Sequence, residues 1–248
     1  MNNNNISKNT TSFLRKVKDE LSKNANTKTK ETFSRFFKHE VQCYGVKAPI
    51  VRKIAKEHFN ELKAFDKEVI FALCEELFRS KLCEEAWVAA NWLDWISHAF
   101  VPQDMRTFER WIDLYIDDWA KCDTLCNHAI GSFLMNHPSI VSSLKQWAFS
   151  SNPFVRRAAA VSLILPARKG LFLDEIFEIS DILLIDRDDL VQKGYGWMLK
   201  EASRKNSQEV FSYIMQKREI MPRTAFRYAL EKMEPELRKK AMERTKKI

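Results

Sequence analysis

Glycine is scarce: the 248 residues hold only five, Gly45, Gly131, Gly170, Gly194 and Gly196. Strand-rich folds and phosphate-wrapping loops draw on more. There is no Walker loop, no dinucleotide fingerprint and no HExxH motif, which removes common nucleotide-dependent and zinc-hydrolase signatures. No apolar run approaches the roughly 18–20 residues that span a bilayer, so no membrane partner is expected. The polar start MNNNNISKNTTS lacks the apolar stretch of a secretory signal. The five cysteines, Cys43, Cys74, Cys83, Cys122 and Cys126, make an odd count that suits free thiols in a reducing, cytoplasmic setting. Cys122-x3-Cys126-x-His128 falls short of the four close ligands of structural zinc, so neither metal nor cofactor is expected.

What is present favours helices and bulky packing. Alanine, leucine, lysine and glutamate are plentiful, and seven tryptophans and seventeen phenylalanines supply large apolar groups. The net charge is +8, and residues 191–248 alone hold 15 Lys/Arg against 7 Asp/Glu. The last quarter therefore carries the whole excess. Such a basic end fits a polyanionic partner, and it equally fits a solvated surface.

Apolar residues recur at helical spacing along almost the whole chain. Residues 1–11 are expected to form a disordered or frayed leader, and 12–248 a single repeat domain. Phe13–Leu21 reads as one short helix and Lys30–Val41 as another, carrying Phe33, Phe36 and Phe37. YGVKAPIVRKIAKEHF places a turn at Gly45–Pro49 before a basic helix containing Arg52, with Pro49 suited to its first turn.

An internal repeat is the strongest architectural signal. CEEAWVAANWL, CNHAIGSFL, VRRAAAVSLI, VQKGYGWML and PRTAFRYAL each show a lead residue, two polar residues, a small residue and a mostly apolar run. The small residues are Ala86, Ala129, Ala158, Gly194 and Ala225, separated by 43, 29, 36 and 31 residues. That period belongs to a helix pair with its turns, so the expected fold is an all-α, HEAT-like or ARM-type solenoid. The small residue lets neighbouring helices approach closely. The polar pair is expected to face out of the core and line a concave, DNA-binding surface, with Arg156–Arg157 and Gln192–Lys193 in equivalent places.

The segment IDDWAKCDTLCNHAIG places Trp119 and Asp123 four residues apart, on one face of a continuous helix. An indole beside a carboxylate shelters a cation, since both the ring face and the carboxylate attract positive charge. Arg157 and Trp197 stand in the two following repeats, where a concave face would bring them to the same place. The same residues have plainer uses: the tryptophans as packing, Asp123 as cap of a helix beginning at Thr124, and Arg157 as partner of a surface acid.

At these residues the chain resembles the AlkD-type DNA alkylation repair proteins, HEAT-like DNA glycosylases. The likeness runs from about Phe13 to the last repeats and rests on YGVKAPIVRKIAKE, WAKCDTLCNHAIG, NPFVRRAAAVSLI and VQKGYGWMLKE. It implies an enzyme that excises cationic N3- and N7-alkylpurines from duplex DNA without a deep base pocket, acting as a monomer and nucleoid-associated when bound. By the same resemblance Asp123 is the catalytic carboxylate. Trp119 and Trp197 are the site tryptophans, Arg157 the groove arginine, and Phe36 an aromatic DNA contact. Arg52, Lys193 and Lys200 are further expected phosphate contacts. Some relatives carry tyrosine in place of Phe36 and a tryptophan in place of Asp118, which adds a negative charge here. The alternative is a non-catalytic HEAT-like protein that binds damaged, bent or branched DNA, and a third reading is a protein–protein scaffold.

Overall fold

A computed structural model describes the backbone of residues 3–243 and the side chains of residues 11–243. Among the described residues there are helices and turns and no strand. They fall into two compact units, residues 1–129 and 130–248.

In the first unit, α1 (Asn3–Lys23) takes in the expected Phe13–Leu21 helix and most of the expected leader over 1–11; Met1 and Asn2 lie outside the described residues. Its buried stripe includes Val17 and Leu21. α2 (Thr27–Ser34) is capped by Asn26, whose side chain accepts from the Thr29 amide at 2.9 Å. The expected helix over Lys30–Val41 therefore stops early. Beyond it the chain is captured by tertiary contacts: Val41 and Cys43 pack with Cys83, joined by Phe33, Phe37 and Trp87. Gly45 turns this segment at φ +85°, and a Cβ there would stand 2.4 Å from the Asn26 carbonyl oxygen. Only glycine fits that backbone.

α3 (Ala48–Leu62) begins with Pro49 in its first turn, as expected. α4 (Lys67–Arg79) and α5 (Cys83–Trp95) follow, then α6 (Met105–Tyr115) and α7 (Trp119–Thr124). Trp92 on α5 is fully buried and donates its indole N–H to the Ala55 carbonyl of α3 at 2.9 Å. Removing such a ring costs about 3–5 kcal/mol. A π-helix, Leu125–Ile130, directly follows α7.

In the second unit the helices are α8 (Gly131–Asn136), α9 (Leu144–Ala148), α10 (Pro153–Val161), α11 (Ile164–Arg168), α12 (Leu173–Leu183), α13 (Asp189–Ala202), α14 (Ser207–Lys217), α15 (Arg223–Ala229) and α16 (Pro235–Met242). α13 is buried on most sides, with Val191, Tyr195, Met198, Leu199 and Ala202 in the core. Gly196 lets α15 approach so closely that a Cβ would meet the Ala225 carbonyl oxygen at 2.8 Å.

The architecture is the all-α helical repeat expected from the sequence. Every small residue of the five repeat segments is buried. The outward-facing polar pair is a different matter. Glu84, Glu85, Asn127 and Arg157 are buried, Gln192 and Lys193 are half-buried, and Arg223 is exposed. Most of these positions tie adjacent chain segments together rather than line a surface, because a buried polar group is stable only with such partners. The five cysteines are free thiols, and all are buried.

Candidate functional site

In the first unit the site is built from the head of α7. Asp118 is its N-cap: one carboxylate oxygen accepts from the Lys121 amide at 2.8 Å. The other lies 3.0 Å from the Lys121 ammonium and accepts from the Cys83 thiol at 3.3 Å. Capping thus falls to Asp118 and not to Asp123, which lies inside the helix. The extra charge read at Asp118 is buried and neutralised. Lys121 also bonds Asp117 and the Lys81 carbonyl. Burial opposes its charge, but Asp118 and Asp117 hold its pKa above the ordinary lysine value.

This anchoring sets the direction of Trp119. Its ring stacks on Phe37 at 5.1 Å between centroids and 18° between planes. Phe37 contacts Phe33 at 4.8 Å, and Phe33 contacts Trp87 at 5.4 Å. A continuous aromatic row therefore backs Trp119. Asp123, half-buried, follows one helical turn later on the same face. Thr124 accompanies it with its hydroxyl donating to the Ala120 carbonyl at 2.7 Å.

The ring behind Trp119 belongs to Phe37, a residue the sequence reading did not select. Phe36, the expected aromatic, is 68% exposed. It lines a separate depression with Lys23, Lys28, Lys47 and Phe33. Arg52 on α3 is exposed and makes no ion pair among the described residues.

In the second unit Arg157 and Trp197 meet the same helix, α13. The Arg157 stem covers Gly194, where a Cβ would stand 3.3 Å from its Cγ, and its guanidinium donates to the Leu190 carbonyl. Arg157 is only 5% exposed, and these contacts join α10 to α13. Trp197, half-buried, donates its indole N–H to Glu201 at 3.3 Å. Glu201 is buried and accepts from Arg168 at 2.9 Å and Arg204 at 2.6 Å. Burial opposes its charge, but the two arginines outweigh it and lower its pKa. Glu201 was missed, although its i+4 spacing from Trp197 was a readable signal.

Lys193 pairs with Asp189 at 3.1 Å. Lys200 pairs with Glu231 at 3.2 Å and lies over the Tyr228 ring. Part of the C-terminal basic surplus gathers elsewhere: Arg223, Arg227 and Arg238 line one depression of about 530 Å³ with Tyr228 and Glu231. Cys122 and Cys126 are buried while His128 is exposed, so these three do not converge as ligands. Among the described residues no helix is long and apolar enough to cross a membrane.

Solved structures share this fold, three of them as follows. A predicted DNA alkylation repair enzyme from Enterococcus faecalis is 20% identical, with a TM-score of 0.73 over 84% of this chain and 95% of that one. AlkD2 from Streptococcus mutans is 18% identical, with a TM-score of 0.58 over 84% and 96%. The protein smu.31 from Streptococcus mutans UA159 is 19% identical, with a TM-score of 0.56 over 75% and 98%. No curated relative matches the chain. The likeness of these structures speaks for the fold, and the family is carried by the sequence itself: residues 17–233 match the family described as DNA alkylation repair enzyme, and the chain belongs to it.

Proposed function

We propose that the protein is a monofunctional DNA glycosylase that hydrolyses the N-glycosidic bond of cationic N3- and N7-alkylated purines in duplex DNA, opening base excision repair. The observation that carries this reading is the pairing of Asp123 with Trp119 on a helix whose capping is done by Asp118. Trp119 is braced by Phe37.

The chemistry follows from charge. Alkylation at N3 or N7 makes the purine a cation and a good leaving group. As the C1′–N bond breaks, its electron pair returns to the purine, which leaves neutral, and positive charge develops on the deoxyribose. The Asp123 carboxylate stabilises that oxocarbenium character electrostatically. Water adds to C1′ and loses a proton through Asp123 to solvent, leaving an abasic site. No acid is needed for a leaving group that already carries positive charge. Trp119 offers its face to the electron-poor sugar, and in the second unit Trp197, fixed by Glu201, offers another to the DNA backbone. Arg157 acts as a positioning residue for α13. Phosphate contacts fall to Arg52 and the Arg223, Arg227 and Arg238 group, with Lys193 and Lys200 exchanging their carboxylate partners for phosphate. The exposed Phe36 packs on the DNA backbone. The partner is duplex DNA, bound by one copy of the chain.

The test is release of N7-methylguanine or N3-methyladenine from methylated duplex DNA. Asp123→Asn is expected to slow single-turnover release by about 100-fold or more while leaving duplex affinity nearly unchanged. Affinity should fall by roughly 0.9 log units per contacted phosphate for each log unit of salt. A wild-type protein that binds duplex DNA with this salt dependence and frees no base is a non-catalytic binder of damaged or bent DNA.

A further inference from the structure

The basic end of the chain gathers more uncancelled charge in one place than an ordinary backbone contact uses. Arg223 and Arg227 stand one turn apart on one face of α15, and Arg238 comes from α16. All three line the depression of about 530 Å³, together with Thr224, Tyr228 and Leu230. Its size lies in the range of roughly 300–1,000 Å³ that small ligands occupy. Other arginines of the molecule are folded onto carboxylates: Arg110 on Glu75, Arg156 on Asp186, Arg168 and Arg204 on Glu201. Arg223, Arg227 and Arg238 are exposed, and none of their guanidinium groups pairs with another group among the described residues. The carboxylate that lines the depression, Glu231, is already held by Lys200 at 3.2 Å. The arginine charges are thus left uncancelled around a single space.

That excess selects the ligand. A phosphodiester inside a strand carries one negative charge, and a single guanidinium fork matches its two free oxygens. A phosphate at the end of a strand carries about 1.5–2 negative charges and offers three free oxygens. It accepts from several arginines at once. The half-buried Thr224, on the same helix as Arg223 and Arg227, supplies a hydroxyl as a further donor. Buried Leu230 and half-buried Tyr228 give the depression an apolar part for the terminal sugar and base.

We propose that this depression seats the terminal phosphate of a broken DNA strand. The DNA repair reading above supplies the identity of the strand. Scission beside an abasic site leaves ends of this kind, so the seat suits the product of the step that follows base release.

The experiment measures the affinity of the full chain for three nicked duplexes of one sequence. The nick carries a 5′-phosphate, a 3′-phosphate or only hydroxyls. One of the phosphorylated nicks should bind about tenfold more tightly than the hydroxyl nick. Inorganic phosphate, added at constant ionic strength, should erase that gain. Arg238→Gln and Arg227→Gln, both at exposed positions, should each bring the ratio of the two affinities towards one. Arg52→Gln, in the other unit, should lower all three affinities alike and keep the ratio. Equal binding of the three duplexes by wild type overturns the proposal, whatever the protein does to alkylated bases. So does a ratio that survives in both Arg238→Gln and Arg227→Gln. A gain that depends on these arginines in a protein that releases no base upholds the seat and removes the glycosylase reading.

Discussion

Each unit of the molecule buries a glutamate close to residues assigned to the site, and the two are held in opposite ways. In residues 1–129, Glu84 at the head of α5 accepts from the backbone amides of Tyr44, Gly45 and Val46 at 3.0, 2.8 and 2.9 Å. In residues 130–248, Glu201 near the end of α13 is held by the side chains of Arg168 and Arg204 and in turn holds Trp197. Backbone amides are fixed in place and keep the same dipole at any pH and salt. The two arginines are nearly half exposed and lie within reach of counter-ions. The first unit thus fixes its aromatic row through rigid backbone, and the second fixes its tryptophan through a screened ionic cluster.

The largest effect is expected at Glu84. Glu84→Ala strands three amides and frees the segment that packs Phe37 behind Trp119, so urea unfolding should show a loss of about 3 kcal/mol or more. A loss below 1 kcal/mol would mean that water replaces the carboxylate, ending the contrast.

Phe37→Leu, which removes the stack on Trp119, should cost about 1 kcal/mol beyond the lost area and lower base release without changing Trp197 fluorescence. A matching change in affinity alone would assign the row to DNA binding.

The smallest effect concerns Glu201, whose lowered pKa fixes the sign. Its ionised form stabilises the folded state above the ordinary glutamate range, and that contribution is lost as pH falls through the depressed folded value. Glu201→Gln should therefore flatten the decline of stability on acidification, by about 1 kcal/mol after allowance for screening. Salt should perturb Trp197 emission in wild type and leave it unchanged in Glu201→Gln. A salt response that persists in the variant would place its origin elsewhere.

The repeat was legible because its signal is steric: a small residue is required wherever two helices touch, and Ala86, Ala129, Ala158, Gly194 and Ala225 all record it. Exposure of the polar pairs was not legible. Glu84–Glu85 and Arg156–Arg157 look like solvent-facing charges, and their partners come from segments about 30–40 residues away. Phe37 was readable as an apolar residue but not as the ring that stacks on Trp119, a contact between residues about 80 apart in the chain. The pairing of Trp119 with Asp123 was readable from spacing. The cap at Asp118 and the π-helix after Thr124 were not, since apolar periodicity says little about which carbonyl an amide selects.

The buried thiols have a practical consequence for separating the two units. All five lie within residues 1–129, and residues 130–248 contain none. Burial raises the pKa of Cys74 and Cys83, which further blunts their reaction with alkylating reagents. Thiol labelling read by mass spectrometry is therefore a stopwatch for opening of the first unit alone. A single cysteine introduced on the exposed surface of the second would give that unit its own, separately readable clock.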